Sequence, residues 1–118
     1  VFFPEEKMKR TNEKNECYRG GDSGVKYLMR GPSIDWGVIL LKPGQRMGPH
    51  GHLEVEETFY VLCGAPKMVV DDVSYRAGAG DVFQVAPSEK HDLVNDTNET
   101  AKVVFIKTPF LPDDKVSY

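Results

Sequence analysis

The chain has 118 residues, 40% of them hydrophobic and 28% charged, with a formal net charge of −3 and a pI near 5.6. That is enough chain for one domain with its own core and too little for two of ordinary size. A mildly acidic chain without a Lys/Arg cluster offers no electrostatic basis for binding nucleic acid or an anionic membrane, and apolar runs such as Trp36 to Leu41 fall far short of the ~20 residues that span a bilayer.

The chain opens on Val1-Phe2-Phe3-Pro4 and turns charged at once, so no secretory signal is visible and a cytoplasmic location is expected. Residues 4–24 hold PEEKMKRTNEKNE and then GGDSG, a polar stretch poor in branched and aromatic residues that reads as a surface arm. From Val25 the texture changes to short β-type runs: VKYLMR (25–30), WGVILL (36–41), ETFYVLC (57–63), MVV (68–70), VSYR (73–76), DVFQVA (81–86), HDLVN (91–95) and KVVFIK (102–107). Gly, Pro or Asp turns separate them at roughly ten-residue spacing, and no segment carries a long 3.6-residue periodicity. This pattern predicts an all-β barrel or sandwich. The expected organisation is a polar N-terminal arm over 1–24, a single β-barrel domain over 25–108, and a tail over 109–118. The tail, polar and broken by prolines, is expected to lie outside the sheet.

Cys17 and Cys63 lie far apart and form no CxxC pair, so they are expected to be free thiols in a reducing compartment.

The chemistry concentrates in GQRMGPHGHLEVEETFYVLCG, residues 44–64. His50 and His52 are two of only three histidines in the chain. If 48–52 is extended, both imidazoles leave one face of the strand, and a carboxylate a few residues on completes a metal shell. Strict strand parity from His52 favours Glu54 or Glu56 for that role. The third histidine, His91, stands in GDVFQVAPSEKHDLVN, and an antiparallel barrel can bring residues this distant onto one inner wall.

These two segments carry a resemblance. Residues 44–64 resemble the first motif of the cupin family, GxxxxxHxHxxxxExxxxxxG, with Gly44, His50, His52, Glu57 and Gly64 in register. Residues 80–95 resemble the second, GxxxxxPxGxxHxxxN, through Gly80, His91 and Asn95. They depart from it at Ala86, with Pro87 one place late, and at Ser88 where the motif has Gly. The resemblance covers residues 36–106 and is silent on 1–24 and 109–118. It implies a double-stranded β-helix, the cupin jelly-roll barrel, with His50, His52, Glu57 and His91 as ligands of one divalent metal. It also moves the preferred carboxylate to Glu57, with Glu56 as the fallback, a turn or bulge at Leu53–Glu56 resetting the parity. Phe59, Val61 and Cys63 then face inward, while Thr58, Tyr60 and Leu62 face outward or into an interface.

Three imidazoles and one carboxylate suit Mn, Fe, Ni, Co or Zn, and four protein ligands on a six-coordinate ion leave room for a bidentate oxygen ligand. The expected partner is therefore a small oxygen-rich molecule in a mostly apolar pocket. The expected activity is metal-dependent oxygenation, decarboxylation or isomerisation, the alternative being a non-catalytic metal or metabolite sensor, because one barrel hosts many reactions. A homodimer is expected from the family's habits. Glu54 and Glu56 read as solvated charges, Asn95 as a turn residue, Asp81 as the cap of its turn, and Trp36, Phe59, Phe83 and Phe105 as core. Lys26, Arg30 and Gln84 stand on strands within reach of a ligand, but nothing in their spacing assigns them. Nor does any spacing single out Tyr27, Tyr60 or Tyr75 as a proton donor.

Overall fold

Runs rich in Val, Ile, Phe and Tyr, punctuated by Gly, Pro and Asp, form ten strands in the computed structural model, which describes residues 8–118. They are β1 (Gly24–Arg30), β2 (Asp35–Leu41), β3 (His50–His52), β4 (Glu56–Cys63), β5 (Lys67–Val70), β6 (Val73–Arg76), β7 (Val82–Val85), β8 (His91–Val94), β9 (Ala101–Thr108) and β10 (Lys115–Ser117). The only helical piece among the described residues is a 3-10 turn at Glu13–Asn15. Two five-stranded sheets result, ordered β1-β2-β9-β4-β7 and β10-β3-β8-β5-β6. Inward side chains of both sheets, including Ile39, Phe59, Val103 and Phe105 from the first and Met68 and Leu93 from the second, form one core cluster. This is the expected double-stranded β-helix.

All eight runs read from the alternation become strands, and the HxH segment is itself a short one. The tail differs from expectation. Residues 115–117 add β10 to the second sheet, with Lys115 opposite His52 and Ser117 opposite His50. The run KVS is too short and too polar to announce itself, and only the exposed edge of β3 gives it a partner.

Cross-strand register sorts the inner face of the first sheet into three rows. The innermost is aliphatic, running Val25, Ile39, Val103, Val61. The next is aromatic, running Tyr27, Gly37, Phe105, Phe59, Phe83, with Tyr27 and Phe105 edge-to-face at 5.3 Å between ring centroids. The outermost is charged, running Arg30, Asp35, Lys107, Glu57 and ending at Val85. Side chains on one face interact with their cross-strand neighbours, so the barrel is apolar within and ionic at its mouth.

Phe59 and Val61 face inward as expected, at 2% and 1% exposure. Cys63 does not: it is exposed. The β4–β9 register shifts between Val61 and Cys63, and such an irregularity rotates the residue beyond it off the inner face. Trp36, expected in the core, is only half-buried on the outer face. Cys17 is also exposed, and neither cysteine forms a disulfide.

The polar arm packs onto the barrel. Lys26 is 7% exposed, a position an ammonium tolerates only with a partner. Its Nζ donates to the Glu13 carbonyl at 2.8 Å and sits 4.0 Å over the Tyr18 ring, while Lys102 Nζ reaches Glu13 Oε1 at 2.8 Å. Residues 1–7 of the arm lie outside the described residues.

Asn95 is fully buried, and its side chain donates to the carbonyls of Leu41 and Glu99 and accepts from the backbone and hydroxyl of Thr97. It is the turn residue expected, holding the β8–β9 connection against the end of β2. The Asp81 carboxylate likewise closes its turn by accepting from Gly78 N at 2.8 Å. In β2, Gly37 meets the irregular register of β1 so closely that a Cβ there would stand 2.0 Å from the Lys26 carbonyl oxygen.

Backbone cannot yield to such a contact as a flexible side chain can. Gly37→Ala is therefore expected to cost at least about 2 kcal/mol, whereas Gly78→Ala, with nothing within 4 Å of the new methyl, stays near wild type. Urea unfolding midpoints of the two variants, measured side by side, check this.

Candidate metal centre

Glu57, the second residue of β4, stands at the mouth of the barrel in the charged row and is 3% exposed. The turn at residues 53–55 lies between β3 and β4, where a parity reset was expected. It is held by Asp114, whose Oδ2 accepts from both Glu54 N and Val55 N at 2.9 Å. Those two bonds, Glu54 first, hold the Asp114 carboxyl below its ordinary range. The tail thus braces the turn that turns Glu57 inward. Glu54 is exposed and Glu56 half-exposed, bonded to Gln84 Nε2 at 3.2 Å.

The second sheet faces Glu57 with imidazoles. His50 and His91 are direct cross-strand partners, with ring centroids 4.3 Å apart. His52 lies 5.7 Å from His50 and 5.6 Å from His91. One potential ligand atom from each of His50, His52, Glu57 and His91 falls within 4.8 Å of all the others, and all four residues are buried. The structure therefore brings together the four residues read from the sequence, and the cluster is compatible with a metal ion.

The remaining ring nitrogens are tied to backbone. His50 Nδ1 donates to the Gly48 carbonyl at 2.8 Å and His91 Nδ1 to the Glu89 carbonyl at 3.1 Å. Gly48 is itself fixed, since its N–H donates to Asp92 Oδ1 at 2.8 Å while Asp92 Oδ2 takes the Arg46 guanidinium. With Nδ1 carrying the hydrogen, Nε2 of each ring presents a lone pair, the arrangement found in histidines that bind metals. Yet His91 Nε2 lies 3.1 Å and His52 Nε2 3.0 Å from the same Glu57 oxygen. Two acceptors cannot share that distance without a proton or a cation between them. The donor chemistry therefore fits a cation.

Electrostatics follow from burial. Desolvation alone would raise the Glu57 carboxyl, but its close contacts with His52 and His91 outweigh it, aided by the charge of Lys107, and hold Glu57 well below the ordinary carboxylate range. Burial pushes the His50 imidazole down from 6.5 to about 4, against the opposing hydrogen bond to Gly48.

A cavity of about 160 Å³ opens beside these residues. Val25, Ile39, Met47 and Phe105 line its floor, with Tyr27 among them. Its wall is not the mostly apolar one expected: Arg19, Arg30, Lys107 and Lys115 also line it. Of the strand residues within expected reach, Arg30 lines the cavity, Lys26 is turned to the arm, and Gln84 is exposed beside Glu56. Lys107 had a signal in the sequence, because it continues the inward parity of Val103 and Phe105. Arg19 and Lys115 had none, lying in segments read as arm and tail.

Both perturbed groups make acid destabilising in the metal-free protein. His50 is neutral when folded and free to protonate when unfolded, so stability present above pH 6.5 is lost as pH falls toward about 4. Glu57 adds a loss of the same sign below the ordinary carboxylate pKa. Between pH 7 and pH 5 the His50 contribution is on the order of 2 kcal/mol, read as a drop in urea-unfolding free energy. His50→Gln is expected to flatten that slope.

Comparison with known proteins agrees with this architecture. The sequence model of the family described as "Cupin domain" matches residues 37–107, more than half of the chain. Protein SchB of Streptomyces halstedii is 32% identical over 76 residues, 64% of this chain and 55% of its own length. The polyketide synthase CurC of Streptomyces cyaneus is 26% identical over 82 residues, 70% of this chain and 53% of its own. The chain thus spans about half the length of the curated relatives it matches. A conserved double-stranded β-helix protein from Klebsiella pneumoniae superposes with a TM-score of 0.79 over 93% of this chain and 96% of its own, at 17% identity. A sugar phosphate isomerase of the cupin superfamily from Silicibacter pomeroyi superposes with a TM-score of 0.65 over 72% of this chain and 59% of its own, at 25% identity. With its barrel, both motif segments and the matched span in agreement, the chain belongs to the cupin domain family.

Proposed function

We propose that His50, His52, Glu57 and His91 hold one divalent transition metal ion, of the Mn, Fe, Ni, Co or Zn group, beside a cavity that binds a small oxygen-rich organic molecule. The observation that carries this reading is the pair of tethered imidazoles, His50 and His91, whose Nδ1 hydrogens are committed to carbonyls while His91 Nε2 abuts a buried carboxylate. A metal held there supplies a Lewis acid able to polarise a carbonyl. The chain's own contribution is a dry, oriented ligand set and a cavity of restricted size. Oxygenation, decarboxylation and isomerisation are the reactions such a site serves. The names of two relatives, a polyketide synthase and a sugar phosphate isomerase, support an oxygen-rich ligand.

Metal analysis of the purified protein tests the assignment. About one ion per chain is expected, lost on His52→Ala or His91→Ala and kept by Glu54→Gln. Full retention of metal by His91→Ala would overturn it. Turnover of small acids and ketones by the Fe- or Mn-loaded protein, with dioxygen uptake followed, then separates an enzyme from a sensor, which binds a ligand and leaves it unchanged.

We also propose that the chain forms a homodimer. The outer face of the first sheet exposes Tyr60, Leu62, Val82 and Ile106 at 44%, 43%, 61% and 38%, a clustering of apolar side chains that supports an interface. Light scattering at micromolar concentration is expected to give twice the chain mass, and a monomer there rejects it.

A further inference from the structure

The cationic side chains from Arg19 onward divide by location. Among the described residues from Arg19 onward, every Lys and Arg makes an ion pair with a carboxylate except Lys26, which is turned onto the Glu13 carbonyl, and Arg19, Lys107 and Lys115. Those three all line the one cavity beside the His/Glu cluster. A fourth cation there, Arg30, is neutralised by Asp35 through two hydrogen bonds of 3.0 and 2.9 Å.

Lys107 is the most constrained of the three. It stands directly across from Glu57 in the β4–β9 ladder, so its side chain shares the inner face. Its Nζ donates to Tyr27 Oη at 2.9 Å and lies 5.2 and 5.4 Å from the Tyr27 and Phe105 ring centroids. A phenol and two ring faces orient an ammonium but do not neutralise it. Arg19 Cζ lies 5.9 Å from the Tyr27 ring centroid. Lys115 is the cross-strand partner of His52. Like charges gathered around one concavity raise the local potential and repel each other, at a cost that an anion offsets.

We propose that the cavity is an oxyanion subsite: Lys107, supported by Lys115 and Arg19, receives the carboxylate or phosphate group of a small organic anion, and the rest of that ligand extends toward His50, His52, Glu57 and His91. This rests on the proposed function for what lies at the far end, and it narrows the ligand from oxygen-rich to anionic. The cavity, about 160 Å³, is well under the ~300 Å³ at which drug-sized pockets begin. The ligand is therefore a hydroxy acid, keto acid or phosphorylated polyol of a few carbons.

Isothermal titration of the metal-loaded protein with succinate, glycerol 3-phosphate and neutral glycerol tests the proposal. At least one of the two anions is expected to bind, more weakly as salt rises, and glycerol far less. Which anion is preferred distinguishes a carboxylate from a phosphate ligand. Lys107→Gln is expected to weaken anion binding about tenfold to a hundredfold with metal content unchanged, and Lys107→Arg to recover most of it. The exposed pair Arg19→Gln and Lys115→Gln gives a second reading, a smaller loss and a shallower salt dependence, should Lys107→Gln fold poorly. Wild-type affinity in the triple Gln variant, equal binding of glycerol, or no binding of either anion would overturn the proposal. Anion binding without metal leaves the subsite standing and removes the metal reading, and metal without anion binding does the reverse.

Discussion

A buried carboxylate is the constraint on which this barrel turns. Leaving an ionised carboxylate unpaired in an apolar interior costs several kcal/mol, more than most single contacts contribute. Glu57 sits at 3% exposure, so the opposite sheet must bring polar partners to it. It does so with His52 and His91 at 3.0 and 3.1 Å, and the neighbouring strand adds the charge of Lys107. The turn at 53–55, braced by Asp114 just before β10, directs that one group inward. Site and fold are not separable here, because what stabilises the carboxylate also joins the sheets.

Register carries the constraint through the rest of the first sheet. One row aliphatic, one aromatic and one charged follow from pairing alone, and a slip of one residue on any strand would turn Glu57 or Lys107 to the outer face and an outward residue into the core. Irregularities in the ladders sit where they adjust this grading without breaking it. The shift between Tyr27 and Met29 lets Tyr27 lie over the space left by Gly37 and still returns Arg30 to the ionic row. The shift between Val61 and Cys63 falls beyond the last residue the core needs from β4.

What could be read in the sequence was what repeats or converges. The two-residue alternation from Val25 to Lys107 marks the strands because half-buried sheets impose that period. The His/Glu cluster was legible because metal chemistry restricts residue types and three histidines are few enough to count. Parity alone pointed to Glu54 or Glu56, and the motif spacing to Glu57, since a turn braced from sixty residues away by Asp114 leaves no local mark. The same holds for β10, whose partner edge exists only once the barrel is closed, and for Cys63, displaced by a bulge. Arg19 and Lys115 reach the cavity from the arm and the tail, and a charged residue on a polar segment looks the same in sequence whether it meets solvent or a ligand.

The charges at the mouth have a thermodynamic consequence that neither group of residues has alone. With neutral imidazoles, the cluster carries the single negative charge of Glu57, which partly balances Lys107 across the ladder. On the proposed assignment, a divalent cation reverses that sign, so the cavity beside it becomes more positive by two charges and more receptive to an anion. The anion in turn lowers the cost of holding a cation against Lys107, Lys115 and Arg19. Coupling of this kind is reciprocal by necessity, each ligand raising the affinity of the other by the same factor. Carbonyl-tethered histidines make the coupling sharper, because rings fixed by Gly48 and Glu89 cannot swing away to relax the field. On that assignment the free protein and the doubly liganded one are favoured over either singly liganded state.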